Sequence, residues 1–204
     1  YKGDLLSKSA ALEDSQKFDA WVVDEAQDFL PSWWETLKLS LLDPLNGKIA
    51  LFGDDQQLVF GHRPAPEGFF AALRLTENLR NSQQIANAVS KFVDKPTTAR
   101  GPHAFEIEYV EVKDKNTFEI ADDVVANLTD KEYWHPGEIA LLTTKNRHPE
   151  HERQADHDRT GHWDSLWTNE DVFYCTVGGF KGLERAVVVL AIDGFHDDAA
   201  ENDF

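Results

Sequence analysis

The sequence has 204 residues, of which 41% are hydrophobic and 28% charged, as is typical of a soluble globular protein with one large domain or two small ones. Its 37 acidic and 20 basic residues give a net charge of −17, which excludes a broad electrostatic hold on nucleic acid or on an acidic membrane surface. No apolar run approaches the roughly 20 residues that cross a bilayer, and the single cysteine, Cys175, excludes an internal disulfide framework. We therefore expect a cytoplasmic protein without a membrane partner, in which any contact with nucleic acid is local.

Three short apolar runs lack alternation and predict strands that are buried on both faces of a parallel sheet. They lie at 20–23, 48–53 and 186–192. Between the first two, residues 31–42 predict a helix, because Pro31 suits the first helical position and Gly47 lies in the turn that follows. Strand, helix and strand together predict a βαβ unit and an α/β fold.

The pattern then predicts a helix at 67–73, a short strand near Leu75, and a helix at 82–93 that Ser82 can cap. The apolar face of this last helix comprises Ile85, Ala86, Val89, Phe92 and Val93. We expect the first half of the chain to end there, at about residue 95.

The stretch 96–103 contains prolines and a glycine and is the predicted hinge between residues 1–95 and residues 104–204. The second half is again predicted to be α/β, with a strand, a helix and a strand at 104–112, 117–129 and 138–144. The turn Pro136-Gly137 introduces the last of these strands.

Residues 145–165 form a polar segment without periodicity, which predicts a solvated loop. Its four histidines, His148, His151, His157 and His162, leave a metal site as the alternative. Their spacing lacks a paired-ligand signature, so the loop is the favoured interpretation.

An acidic cluster follows the first predicted strand, where Asp24, Glu25 and Asp28 surround the amide of Gln27. Carboxylates crowded at a strand end repel one another unless a cation balances them, and Mg²⁺ carrying nucleotide phosphates is a common one. The alternative is a structural turn in which Asp28 caps the following helix.

Further polar residues follow other strands in an order that resembles a known family. They are Gly53, Asp54, Gln57, Asn78, Arg80, Lys181, Gly182 and Glu184. Taken with DEAQD, they form the series hhDExxD, GDxxQ, LxxNxR and T…KGLE, which resembles the UvrD/Rep-like branch of the superfamily 1 helicases. The resemblance covers residues 20–85 and 172–192, and residues 104–144 agree only in coarse pattern.

This resemblance implies an α/β fold of RecA-like P-loop NTPase lobes with mainly parallel sheets. Residues 1–95 would be the C-terminal part of the first lobe, and residues 104–204 most of the second. It also implies that ATP and Mg²⁺ are cofactors and that single-stranded DNA is the partner, with RNA as the alternative.

The resemblance further implies a role for each matching residue. Asp24 would hold Mg²⁺, and Glu25 would act as the general base toward the attacking water. Gln57 would sense the γ-phosphate, and Arg80 would stabilise the charge that develops on it. Glu184 would reach the ribose. The plain alternatives are a surface ion pair for Arg80 and an exposed position for Glu184.

A helicase also needs a surface that binds a single strand, and the resemblance places it after the GDxxQ motif. Phe60, His62 and Arg63 would contact the nucleic acid there. Such contacts are compatible with an acidic protein, since the stacking of bases on aromatic side chains does not require a positive net charge. Thr176 and Lys181 would contact it from the second lobe. The alternative for Phe60 is a core position.

The sequence departs from the family pattern in several places. It contains no GxxxxGK[ST] loop, lacks the final arginine motif, begins with Tyr1 and has no methionine, so we expect a piece of a longer helicase that does not hydrolyse ATP alone. Gly178, Arg185 and His62 replace residues common in relatives and weaken the predicted contacts with DNA. Two other interpretations remain open, a degenerate module for protein contacts and a Mg²⁺-dependent nuclease.

Overall fold

The computed structural model describes residues 2–54, 73–112, 116–157 and 159–194. The fold is mixed α/β with short parallel sheets, which confirms the predicted fold class at this level. The chain divides into two compact units, Tyr1–Glu108 and Tyr109–Phe204. Among the described residues, every helix is too short or too polar to span a bilayer.

The first unit contains the predicted βαβ arrangement. Its helices and strands in this region are α1 (Lys2–Ala10), β1 (Ala20–Val23), α2 (Pro31–Leu39) and β2 (Lys48–Leu51). The strands are parallel, with Ala20 opposite Lys48 and Val23 opposite Leu51, so the predicted unit is confirmed. Pro31 occupies the start of α2, as predicted.

Burial of β1 differs from the prediction, because only one of its faces is covered. Val23 is buried, whereas the side chain of Val22 is 71% exposed. The unalternated apolar run therefore indicated a strand correctly but gave its burial wrongly. Continuous apolar runs do not by themselves report which face another element covers.

A second small sheet follows in the same unit. It pairs β3 (Glu77–Asn78) with β4 (Thr98–Ala99) in parallel, and α3 (Gln83–Val89) lies between them. The predicted cap is confirmed, since Oγ of Ser82 accepts a hydrogen bond from the Ile85 amide at 3.3 Å. The strand predicted near Leu75 begins two residues later. Residues 96–103, the predicted hinge, include β4.

The apolar face predicted for 82–93 is largely wrong. Helix α3 ends at Val89, four residues early, and Ala86 is its only buried residue, while Ile85 and Val89 are about half exposed. Residues 67–72 of the other predicted helix lie outside the described residues.

The second unit is built on a parallel sheet with the strand order β6-β5-β7. Its elements are α4 (Thr117–Asp130), β5 (Ile139–Thr143), α5 (Pro149–His157), α6 (Arg159–Thr168), β6 (Phe173–Thr176) and β7 (Val187–Ala191). These bounds confirm the predicted helix at 117–129 and the predicted strands at 138–144 and 186–192.

Strand β5 is the centre of this unit, and both of its faces are covered. Ala140 and Leu142 pack with residues of α6 and β6 on one face, and Ile139 and Leu141 pack with α4 on the other. Strand β7 is covered on the α4 face only, because Val188 and Leu190 are 48% and 52% exposed. The prediction of burial on both faces is therefore wrong for β7.

Two other predictions in this part of the chain are wrong. Residues 104–112 alternate as a strand would, yet they form no strand, and the backbone of Ala104 exchanges hydrogen bonds with the side chain of Gln84 instead. The segment 145–165, predicted to be a loop, contains α5 and most of α6. The hydrophobic pattern did not predict these helices, because buried histidine rings take the place of aliphatic side chains in their packing.

Candidate functional site

The DEAQD cluster forms a tight turn directly after β1. Glu25 has φ 50° and ψ 41°, in the left-handed region, and a 3-10 turn then spans Ala26–Asp28. A non-glycine residue in this region costs roughly 1–3 kcal/mol, and such strain clusters at functional sites, although Tyr133 and Asn169 of the second unit also have a positive φ. The backbone amide of Glu25 donates to Oδ1 of Asp24 at 2.9 Å, which fixes the first carboxylate.

The capping alternative for this cluster does not agree with the structure. Leu30 occupies the N-cap of α2, and that cap has no side-chain hydrogen bond. The amide of Asp28 donates to the carbonyl of Glu25 at 2.9 Å, so Asp28 lies inside the preceding turn. The acidic cluster is therefore not the cap of α2.

The DEAQD turn and the end of β2 lie side by side. The Ala26 amide donates to the Phe52 carbonyl at 2.8 Å, and the Phe52 amide donates to the Val23 carbonyl at 2.8 Å. Parallel strands bring their carboxyl ends to one edge of the sheet, which is where open α/β sheets bind ligands. The structure thus brings Asp24 and Glu25 together with Gly53 and Asp54.

Gln27 joins the two strand ends through its side chain. Its Nε2 donates to Oε2 of Glu25 at 2.5 Å, and its Oε1 accepts from the Asp54 amide at 3.0 Å. The residue is only 9% exposed. A Cβ atom at Gly53 would lie 2.7 Å from Oε1 of Gln27, so the absence of a side chain there makes room for the amide.

Gln27 was not among the predicted site residues. The available signal was an amide among carboxylates at a strand end, since an amide can donate to one group and accept from another. The pairing with Asp54 depends on the turn geometry and is not visible in the sequence.

Asn78 ends β3 of the second sheet, and Arg80 lies in the turn that follows it. Oδ1 of Asn78 accepts from the Asn81 amide at 3.1 Å, and this bond shapes the exposed turn that carries Arg80. The Asn of LxxNxR therefore has a local structural role, which is to present the arginine on a defined turn.

The remaining predicted residues of the first unit cannot be placed. Gln57, Phe60, His62 and Arg63 lie outside the described residues, so their roles stay predictions.

In the second unit, the KGLE segment follows a turn that begins at the end of β6. Oγ1 of Thr176 accepts from the Gly179 amide at 3.2 Å, and the Phe180 amide donates to the Thr176 carbonyl at 3.0 Å. Gly182 has φ 80°, a conformation that glycine adopts without strain. Lys181 is partly buried beside it.

Glu184 and Arg185 end this segment and differ in environment. Glu184 is exposed on the surface of the unit, whereas the Arg185 guanidinium donates through Nη2 to the Leu166 carbonyl in α6. Burial lowers the pKa of Arg185 from its ordinary value. The arginine that departs from the family pattern therefore ties the KGLE segment to α6.

Asp193 organises the carboxyl edge of the second sheet. Its carboxylate accepts from the amides of Thr144, Lys145 and Asn146 at 3.1, 2.9 and 2.8 Å. Burial acts to raise the pKa of Asp193, but these hydrogen bonds outweigh it and hold the pKa below its ordinary value. Asp193 was not among the predicted residues, although a carboxylate that closely follows an apolar strand can be recognised in the sequence.

Three histidines of the segment 145–165 are buried and form a cluster with aromatic rings of β6. The ring of His162 lies between those of His151 and Phe173, with centroid distances of 4.8 and 5.0 Å, and His148 stacks on Tyr174 at 4.9 Å. Within the described part of the chain, no group of three or more His, Cys, Asp or Glu side chains has a metal-binding arrangement. We interpret these histidines as packing groups.

No protein-family model matches the sequence, and no curated protein matches it significantly.

Proposed function

We propose that the chain is part of an ATP-dependent superfamily 1 helicase or translocase, with its two units contributing to two RecA-like lobes. The observation that carries the proposal is the bridge of Gln27 between the Glu25 carboxylate and the Asp54 amide. It joins the DExxD and GDxxQ motifs at the carboxyl edge of a parallel sheet, where the chemistry of a nucleotide site would be placed.

The acidic edge fits a Mg²⁺-nucleotide. Asp24 offers a carboxylate oxygen, the hard ligand that Mg²⁺ prefers, and one protein carboxylate suffices when phosphates and waters supply the other ligands. The bound ion would neutralise charge on the phosphates. Asp24 would hold the ion through its fixed carboxylate, and Glu25 would take the proton from the attacking water.

The other side chains have roles that rest on the resemblance. Gln57 would sense the γ-phosphate, and the fixed positive charge of Arg80 would stabilise the phosphoryl group during transfer. Glu184 would contact the ribose from the second unit. The printed sequence has no GxxxxGK[ST] loop, so the proposal requires that loop from a longer chain, here called the parent protein.

Single-stranded DNA is the proposed partner. Phe60, His62 and Arg63 would contact it from the first unit, and Thr176 and Lys181 from the second. Base stacking contributes roughly 1–3 kcal/mol per base and tolerates any sequence, so such a local surface is compatible with a net charge of −17. A cytoplasmic location fits the single, buried cysteine, Cys175.

The test is the substitution Glu25→Gln in the parent protein. It keeps the shape of the side chain but removes the base, so ATP turnover should fall by roughly 100-fold or more while Mg²⁺-nucleotide affinity changes little. Glu35→Gln is the matched control, because Glu35 is an exposed glutamate of α2 and should leave turnover unchanged. Near-parental turnover of Glu25→Gln would show that the proposed base is wrong.

A further inference from the structure

We infer that Gln27 is a positioning residue, whose side-chain amide holds the Glu25 carboxylate in its working orientation and ties it to the end of β2. This inference rests on the proposed function, since it concerns how the proposed base is held. It assigns to Gln27 a role that is separate from binding nucleotide.

The Glu25 carboxylate needs a neighbouring group to hold it in one orientation. The residue is partly exposed and its backbone is in the left-handed region, so its side chain leaves the chain in a direction set by a strained turn. A general base must lie within hydrogen-bond reach of the water it deprotonates. A carboxylate at such a turn keeps that geometry only when a neighbouring group fixes it.

Gln27 is the group in contact with it. Nε2 of Gln27 donates to Oε2 of Glu25 at 2.5 Å, and the charge of the carboxylate strengthens such a bond. The opposite end of the same amide accepts from the Asp54 amide at 3.0 Å. Because Nε2 faces an acceptor and Oε1 faces a donor, the amide has one orientation, with its donor directed at the Glu25 carboxylate.

Gly53 leaves the space that the Gln27 amide occupies. The hypothetical Cβ at this position would lie 2.7 Å from Oε1 of Gln27, closer than real Cβ contacts, so a side chain here would displace the amide. The next nearest atoms, the backbone nitrogens of Gln27 and Ala26, lie at 3.5 and 3.6 Å, which is ordinary contact. The position is therefore tight specifically toward the Gln27 side chain.

The experiment measures kcat and KM for ATP in the parent protein with three variants that break the bridge differently. Gln27→Leu removes both bonds, Gln27→Glu keeps an acceptor for Asp54 but removes the donor to Glu25, and Gly53→Ala displaces the amide without changing it. We expect kcat to fall about 10- to 100-fold in each, since small misplacements of a catalytic group have effects of this size. KM for ATP should change less than about 3-fold, because nucleotide binding does not use this amide.

A pH profile separates positioning from a structural role. As the pH falls, the new carboxyl group in Gln27→Glu gains a proton and can donate to Glu25 again. The ratio of its kcat to that of the parent protein should therefore rise toward low pH. Gln27→Leu should show no such recovery.

The matched control is Gln83→Leu, which removes another glutamine hydrogen bond in the same unit. Nε2 of Gln83 donates to the Gly101 carbonyl at 3.1 Å, a bond that involves neither Glu25 nor Asp54. This variant should lower the melting temperature without lowering kcat.

The outcomes distinguish the two proposals. If Glu25→Gln abolishes turnover while Gln27→Glu and Gly53→Ala keep parental kcat at every pH, the positioning role is refuted and the proposed base stands. A lowered kcat in Gln27→Glu without any recovery at low pH also refutes the donor role. Full turnover in Glu25→Gln refutes the proposed function itself. If Gln27→Leu fails to fold, Gln27→Glu and Gly53→Ala still decide between these results.

Discussion

The buried histidine cluster predicts that the second unit loses stability in mild acid. Burial is the main cause that lowers the pKa of His151 from 6.5 to about 4, and the neighbouring His162, Arg147 and His148 add to it. Burial also lowers the pKa of His162, helped by Arg147. Within the described residues, Nδ1 of His151 and Nε2 of His162 have no hydrogen-bond partner. The cluster is therefore built for neutral rings.

The sign and size of the effect follow from linkage. The unfolded chain takes up a proton at His151 near pH 6.5 and the folded chain only near pH 4, so stability is complete above pH 6.5 and falls as the pH drops through this window. With 1.36 kcal/mol per pKa unit, His151 alone should lower the free energy of unfolding by about 2 kcal/mol between pH 7.5 and pH 5. Carboxyl groups whose pKa is lowered in the folded chain, such as that of Asp193, lose their contribution to stability only at lower pH.

The assay is hydrogen exchange of the 204-residue chain at pH 7.5 and pH 5, corrected for the intrinsic pH dependence of exchange and followed in peptides from α5 and α6. His151→Phe keeps the stacked ring on His162 but cannot titrate, so its loss of protection at pH 5 should be smaller by the amount assigned to His151. His103→Phe is the control, because His103 is exposed in the first unit and should leave the response of α5 and α6 unchanged. An equal loss of protection in His151→Phe and in the unsubstituted 204-residue chain would refute this role of His151.

Three other predictions concern the proposed helicase. The 204-residue chain with Mg²⁺ and single-stranded DNA should release phosphate from ATP at background rate, and robust turnover would contradict its need for an external phosphate loop. In the parent protein, Phe60→Ala should weaken single-strand binding by roughly 1–3 kcal/mol with little change in melting temperature, whereas lost stability with unchanged binding would place the ring in the core. Gln57→Ala should abolish the stimulation of ATPase by a single strand and reduce basal hydrolysis less than Glu25→Gln; retained stimulation would exclude the coupling role.

The parts of the fold that could be predicted are those fixed by local signals. Pro31 at the start of α2 and Ser82 at the cap of α3 act through neighbouring backbone groups, so sequence position alone identified them. Burial was harder, since Val22 and Val188 look the same in the sequence as buried valines. Whether another element covers them is a tertiary property that a run of apolar letters does not contain.

The helices α5 and α6 show a different limit. Their sequence is polar, and a segment of this composition ordinarily stays in solvent. Here the imidazole rings of His151 and His162 are buried and stack on each other, and His162 also stacks on Phe173. A histidine counts as polar in a pattern but packs as an aromatic ring when it is neutral, so the pattern failed where protonation state decides burial.

The acidic edge of the first unit was predictable in outline because chain order determines it. Two parallel strands joined by a helix must end at the same edge, so DEAQD and GDD had to be neighbours once β1 and β2 were recognised. The bridge was not predictable, since it needs the left-handed backbone at Glu25 and the open space at Gly53.

These two features together explain why the acidic edge has a strained turn at all. In the observed left-handed conformation, the Glu25 carboxylate accepts from the Gln27 amide two residues later, and the same amide supplies the acceptor for the Asp54 backbone amide. A turn built only to connect β1 with α2 has no use for a strained glutamate, a buried amide and a missing side chain on the next strand. Structural strain of this kind clusters at functional sites, where the position of a side chain matters. In this edge of the sheet, the proposed function gives that part to the carboxylate of Glu25.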